Sequence, residues 1–173
     1  LNGLIHIGPE QRPAGRYGEP PSTALAESLK RFGFRWGRLK TGTPPRIARG
    51  TIDWSRLEVA RGDEHPLPFS FMTDRIARPQ IDCHLTHTNA RIHDLVREHL
   101  GDSPLFNGQI QGIGPRYCPS LEDKIVRFPD RERHQVFLEL EGVDVEEIYV
   151  NGLSMSLPRE AQTAIVRSLP GFD

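Results

Sequence analysis

"HTNARIHDLVREHLGDS", residues 87 to 103, has a pattern that admits one reading. Asn89 offers an N-cap oxygen, Ile92, Leu95, Val96, His99 and Leu100 share one helical face, and Gly101 follows the end. Further on, "QVFLELEG" alternates Val136, Leu138 and Leu140 with Phe137, Glu139 and Glu141, the two-residue period of a strand. A helix of this kind beside strands of that kind predicts an α+β fold.

The flanks extend this reading. "LNGLIHIG" predicts a turn at Asn2-Gly3 and a short strand through Leu4, Ile5 and Ile7, followed by the Gly/Pro-dense loop "PAGRYGEPP". Ser22 is placed to cap a helix with Leu25, Leu29 and Phe32 inward, ended by Gly33. "FRWGRLKTGTPPR" reads as a strand into a loop, since Pro44-Pro45 forbids a helix. Residues 47 to 80 read as loop with one helical turn near Trp54–Leu57. "KIVRF" (124–128) and "EEIYVNGLSMSLP" predict strands, the second with a turn, and Pro158 opens a last helix with Ala161, Ile165, Val166 and Leu169 inward.

Bulk properties narrow the class. The 173 residues suffice for one cored domain, and 36% hydrophobic with 26% charged residues is a soluble, globular balance. Net charge is −1, but it is unevenly spread. Lys30, Arg31, Arg35, Arg38, Lys40, Arg46, Arg49, Arg56 and Arg61 face only Asp53 and Glu58 in the same stretch. Such a stripe can hold phosphates, or simply be a solvated face. Apolar runs are too short for a membrane span, and Cys83 and Cys118 read as reduced thiols of a cytosol-like compartment. With no initiator Met, the chain reads as a piece of a longer protein.

Several groups invite chemistry. Gly15 and Gly18 precede the Ser22 helix, whose N-terminus suits a phosphate, although no full dinucleotide fingerprint is present. Cys83, His84 and His87 have metal-ligand spacing, but Cys118 would have to join them from afar; no metal is expected, and the stretch reads instead as a loop in which His87, Thr88 and Asn89 start the following helix through side-chain hydrogen bonds. Cys118 stands in "GPRYCPSLEDK", where Gly114-Pro115 and Pro119 frame it in a rigid bend. Arg116 and Lys124 would favour its thiolate, Glu122 and Asp123 oppose it, and the alternative is a small apolar side chain in a tight turn. Trp36, Trp54, Phe69 and Phe71 could stack on bases or a flavin, with core packing the ordinary alternative.

"AGRYGEPPS", "GRLKTGTPPR", "THTN", "GPRYCPSLEDKIVRF", "HQVFLE" and "NGLSMSLP" stand in this order along nearly the whole chain. Together they resemble the MnmG (GidA) family of FAD-dependent tRNA uridine 5-carboxymethylaminomethyl modification enzymes. Departures are Leu140 where relatives carry Pro, Met155 where many carry Thr, and His84 where others have Tyr. The resemblance implies a glutathione-reductase-like FAD/NAD(P)-binding fold with an inserted mixed domain. Residues 1–45 would continue the flavin domain, and 46–173 would form the NADH-binding-like insertion, truncated at its C-terminal end. It further implies FAD, NADH and methylene-tetrahydrofolate as cofactors. The partners implied are tRNA and an MnmE-type GTPase, with the full-length protein a cytoplasmic homodimer (mitochondrial if eukaryotic).

Position by position, the resemblance implies FAD contact by Ser22 and an NAD-binding segment running through Gly114, Pro115, Arg116, Tyr117, Cys118, Pro119, Ser120, Leu121, Glu122, Asp123, Lys124, Ile125, Val126, Arg127 and Phe128. It implies a catalytic role for Cys118. Arg38, Lys40 and Arg46, in matching motifs, are expected to attract phosphate or tRNA. Two other readings stay open: a cofactor- or RNA-binding module without chemistry, and a zinc-stabilised structural domain. The fragment by itself is expected to be inactive and marginally stable, because its first 43 residues would lack partner strands.

Overall fold

The fold was obtained as a computed structural model that describes residues 1–16 and 18–172. Tyr17, within the "AGRYGEPPS" motif, lies outside the described residues. The chain opens with a hairpin of β1 (Leu4–Ile7) and β2 (Glu10–Pro13), paired Leu4 to Pro13 and Ile7 to Glu10. Asn2-Gly3 is not a turn; it prolongs the hairpin, with Ala14 N–H donating to the Gly3 carbonyl. Helix α1 (Thr23–Lys30) follows.

The body is a five-stranded antiparallel sheet of β3 (Arg46–Ala48), β4 (Glu58–Ala60), β5 (Cys83–His87), β6 (Gln135–Leu140) and β7 (Glu147–Asn151), in the order β3-β7-β6-β5-β4. Register His84–Leu138–Val150 and Thr86–Val136 puts these side chains on one face. Helices α2 (Ala90–Glu98), α3 (Leu121–Arg127) and α4 (Arg159–Arg167) supply Ile92, Val96, Leu121, Ile125, Ala161 and Ile165 to the same core as Val136, Leu138, Ile148 and Val150. The opposite face carries Arg46, Tyr149, Glu139 and Asn151, the last donating to Glu139 at 2.8 Å. One sheet face is thus oily and covered, as alternation in β6 requires.

Several expected elements hold in the second half of the chain. Asn89 caps α2, its Oδ1 accepting from Ile92 N–H at 3.0 Å, and Pro158 precedes α4. The Trp54–Arg56 turn is present, capped by Asp53, but it is joined by strands β3 and β4 that were read as loop. "CHLTH" is strand β5, not a loop. "KIVRF" is the end of helix α3, not a strand. Ser120 and Asp123 form a reciprocal capping box, and Leu121 and Ile125 bury one face at helical spacing. The S-x-x-D signature was in the sequence; the β-branched pair Ile125-Val126 outweighed it.

The first 40 residues depart most. In α1 only Ala26 is buried; Leu25 and Phe32 are exposed, and Ser22 makes no side-chain cap. "FRWGRLK" forms no strand beyond an isolated parallel bridge between Leu39 and Ile113. Phe32, Phe34, Trp36 and Leu39 are all solvent-exposed. None of the described helices is long and apolar enough to cross a membrane.

Candidate functional site around Cys118

Two segments flank the cysteine loop. Residues 38–43 run alongside it, joined through the Leu39–Ile113 bridge and Lys40 N–H to the Ile113 carbonyl at 3.1 Å. Residues 154–156 close the other side, where Leu121 N–H donates to the Ser154 carbonyl at 2.7 Å. The outer two segments meet through the Thr43–Met155 bridge. They approach so closely that a Cβ on Gly42 would lie 2.6 Å from Ser154 Cβ and 3.0 Å from its carbonyl carbon. Glycine is required there by space.

The loop itself is short and open. Cys118 N–H donates to the Pro115 carbonyl at 3.3 Å, closing a turn, and Ser120 then starts α3. Cys118 is exposed and reduced, and Tyr117 is 84% exposed beneath the Arg116 guanidinium, whose carbon is 5.1 Å from the ring centroid. The Cys118 Sγ lies 2.8 Å from Thr41 Oγ1. Lys124, one turn into α3, donates to the Gly152 carbonyl at 2.8 Å. Burial lowers the Lys124 pKa, and the nearby Cys118 charge pulls it back up.

Behind the loop stands a buried carboxyl group. Glu122 is fully buried, and its Oε1 accepts from Ser156 N–H at 2.9 Å and from the Ser103 and Ser156 hydroxyls, each at 3.2 Å. Its Oε2 has no protein partner. Glu122 therefore does not face Cys118, as adjacency in sequence had placed it; it fastens α3 to the strand-to-helix connection before α4.

A cavity of about 520 Å³ opens beside this assembly, lined by β1, Thr41 to Arg46, Leu105, Ile110, Met155 and Ser156. A wider cleft of about 970 Å³ runs along residues 1–6, Trp36 to Thr41 and Gln109 to Gln111. Thr41 and Thr43 line both. Arg38 and Lys40 line the second, Arg38 donating to the Asn2 carbonyl at 2.9 Å. Arg46 is committed elsewhere: it pairs with Glu141 at 2.8 Å, donates to the Pro44 carbonyl and lies over the Tyr149 ring. Ser22 sits apart, exposed at the start of α1.

Cys83, on β5, is half-buried, and desolvation reinforced by Glu139 and Asp82 raises its pKa. Among the described residues, no three or more His, Cys, Asp or Glu side chains are grouped to hold a metal ion. A second polar nest went unforeseen: His93 Nε2 is 2.8 Å from Thr88 Oγ1, and the His134 ring stands 5.4 Å from His93. Burial lowers both histidine pKa values. Thr41, Gly42 and Ser154–Ser156 were present in quoted motifs, but one sequence carries no signal that they meet.

A mixed unit with a Gly/Pro-framed cysteine laid between two extended segments is the class this geometry defines. The family described as glucose inhibited division protein A matches residues 1–173, and the chain belongs to it. It is 54% identical over its whole length to the tRNA uridine 5-carboxymethylaminomethyl modification enzyme MnmG of Thermodesulfovibrio yellowstonii, and 55% identical to that of Geotalea uraniireducens. It spans 28% of the length of each. Two solved structures of Aquifex aeolicus GidA are similar, at 51% identity and TM-score 0.82 (crystal form I) and 47% and 0.79 (form II). Each covers 99% of this chain, which matches 30% and 27% of theirs.

Proposed function

We propose that this chain is the central part of a flavin-dependent enzyme that, with a partner GTPase, installs an aminomethyl or carboxymethylaminomethyl group on C5 of the wobble uridine of tRNA. The observation that carries the reading is the exposed Cys118 thiol, 2.8 Å from the Thr41 hydroxyl, in a chain more than half identical to proteins named for that modification. In this reading residues 1–45 belong to the flavin domain and 46–173 to the inserted one. The placement of the hairpin and α1 outside the five-stranded sheet supports that division. The full-length protein works as a cytosolic homodimer with an MnmE-type GTPase.

The residues present fit the cofactors. The exposed Ser22 hydroxyl makes no capping bond, and the α1 N-terminus leaves backbone N–H groups for a flavin phosphate. In the Gly114–Phe128 segment Leu121, Glu122 and Ile125 face the core, so NADH would be met by Arg116, Tyr117, Arg127 and Phe128, all exposed. Arg38 and Lys40 draw tRNA phosphates to the wider cleft. Bound flavin supplies the redox capacity that protein side chains lack.

Cys118 carries the nucleophilic step. Its thiolate adds to C6 of the uracil, which puts the electron pair of the C5–C6 bond at the disposal of C5. C5 then attacks the methylene carbon of methylene-tetrahydrofolate as one C–N bond of the donor opens. Loss of the C5 proton expels tetrahydrofolate and leaves an exocyclic methylene; an amine adds to that carbon and loses a proton, and departure of the thiolate restores the C5–C6 double bond. Replacing Cys118 by Ser in the full-length protein tests this: wobble-uridine modification is lost while flavin content is kept. Normal modification with normal flavin content removes Cys118 from the mechanism.

A further inference from the structure

We propose that Thr41, which lines both cavities, is a positioning residue for Cys118, its hydroxyl holding the thiolate in one place; this rests on the reading of Cys118 as the attacking group. The two residues are 77 positions apart, yet Oγ1 and Sγ lie 2.8 Å from one another. Cys118 sits on an exposed turn, so nothing packs its side chain into one rotamer. The hydroxyl is the fixed partner. Residue 40 is hydrogen-bonded to Ile113, residue 42 packs on Ser154, and residue 43 bridges to Met155, so the backbone is clamped on both sides of Thr41. A β-branched side chain on a clamped backbone has few rotamers, and its hydroxyl points where the backbone aims it.

The hydrogen bond suits both protonation states. A neutral thiol donates to Oγ1, while Thr41 O–H turns to the Gly42 carbonyl at 3.5 Å. When the thiol loses its proton to solvent, the same O–H donates to the anion, and hydrogen bonds to charged acceptors are the stronger kind. The surrounding charges do not replace it. Lys124 from α3 is tied to the Gly152 carbonyl, and Arg116 of the same loop lies over Tyr117. Asp123 is turned to Ser120, Glu122 faces the core, and Lys40 of the neighbouring segment is half-buried along the second cavity. Thr41 is the neutral donor that can select one thiolate position without shifting charge.

The test uses the full-length protein and iodoacetamide, with alkylation of the Cys118 peptide followed by mass spectrometry across pH. Thr41→Val keeps the shape and removes the donor. It slows alkylation at neutral pH by about tenfold, the worth of one hydrogen bond to a charged acceptor. Thr41→Ala gives the same slowing, and Thr41→Ser, which keeps the donor but not the β-branch, recovers most of the parent rate. Wobble-uridine modification falls in kcat for Thr41→Val with KM for tRNA unchanged. Superimposable alkylation curves for Thr41→Val and the parent overturn the proposal. Slowed alkylation beside full modification by Cys118→Ser leaves the hydrogen bond standing but overturns the nucleophile reading, and with it the purpose assigned to Thr41.

Discussion

Replacing Gly42 by Ala should damage this site more than its exposed neighbourhood suggests. The added methyl would lie 2.6 Å from Ser154 Cβ, 3.0 Å from Ser154 C and 3.2 Å from Met155 N. Two of those atoms are backbone and cannot swing aside. Reaching ordinary carbon contact of about 3.6 Å requires the segments to part by about 1 Å. Such a move breaks the Thr43–Met155 bridge and pulls Thr41 Oγ1 away from Cys118. Overpacking of this kind costs about 1–3 kcal/mol, and a backbone hydrogen bond about 1 kcal/mol, so a loss on the order of 2–3 kcal/mol is expected. Urea unfolding of the full-length protein, followed by circular dichroism, measures it; iodoacetamide labelling of Cys118 reports the displaced loop. A Gly42→Ala protein within about 0.5 kcal/mol of the parent, with unchanged labelling, would refute the three-segment clamp.

Other perturbations reach the elements behind the loop. Glu122→Ala strands the Ser156 N–H and one of the two serine hydroxyls, since Ser103 and Ser156 Oγ can still pair at 3.1 Å, and should cost about 2–4 kcal/mol by urea unfolding, with Glu122→Gln markedly milder because its carbonyl oxygen still accepts. Asn89→Ala removes both the cap on Ile92 N–H and the 2.8 Å bond to the Ser168 carbonyl, so a loss of about 1–2 kcal/mol is expected in the same assay. His93 and His134 have folded pKa values below 6.5, so the unfolded chain takes up more protons in acid. Their stabilisation is complete above 6.5 and lost as pH falls below it; a His93→Gln/His134→Gln protein should show a flatter stability profile between about pH 7 and 5.

What a single sequence reveals here depends on how local the determinants are. Helix α2, strand β6 and helix α4 carry their own caps and periods, and each was legible. Helix α3 was misread because its burial comes from Leu121 and Ile125 around a polar turn, while the stretch after Lys124 imitates a strand. Strands β3 and β4 have only three residues each, and pairing with β7 and β5, not local propensity, makes them strands. Helix α1 shows the opposite failure: a correct local pattern in which Ala26 is buried but Leu25 and Phe32 stay exposed. At the site, Cys118 was legible from its Gly/Pro frame. Its surroundings were not, because Thr41 reaches Cys118, and Ser154 reaches Leu121 behind it, only through the tertiary fold.

The most direct measurement is a covalent trap. Full-length protein, supplied with its cofactors, is incubated with tRNA carrying 5-fluorouridine at the wobble position, where fluorine cannot leave C5 as a proton does. If Cys118 attacks C6, a stable protein–tRNA adduct forms, joined through the Cys118-containing peptide and absent from Cys118→Ser. An adduct of equal yield in Cys118→Ser, or none in the parent while uridine tRNA is fully modified, would contradict that attack.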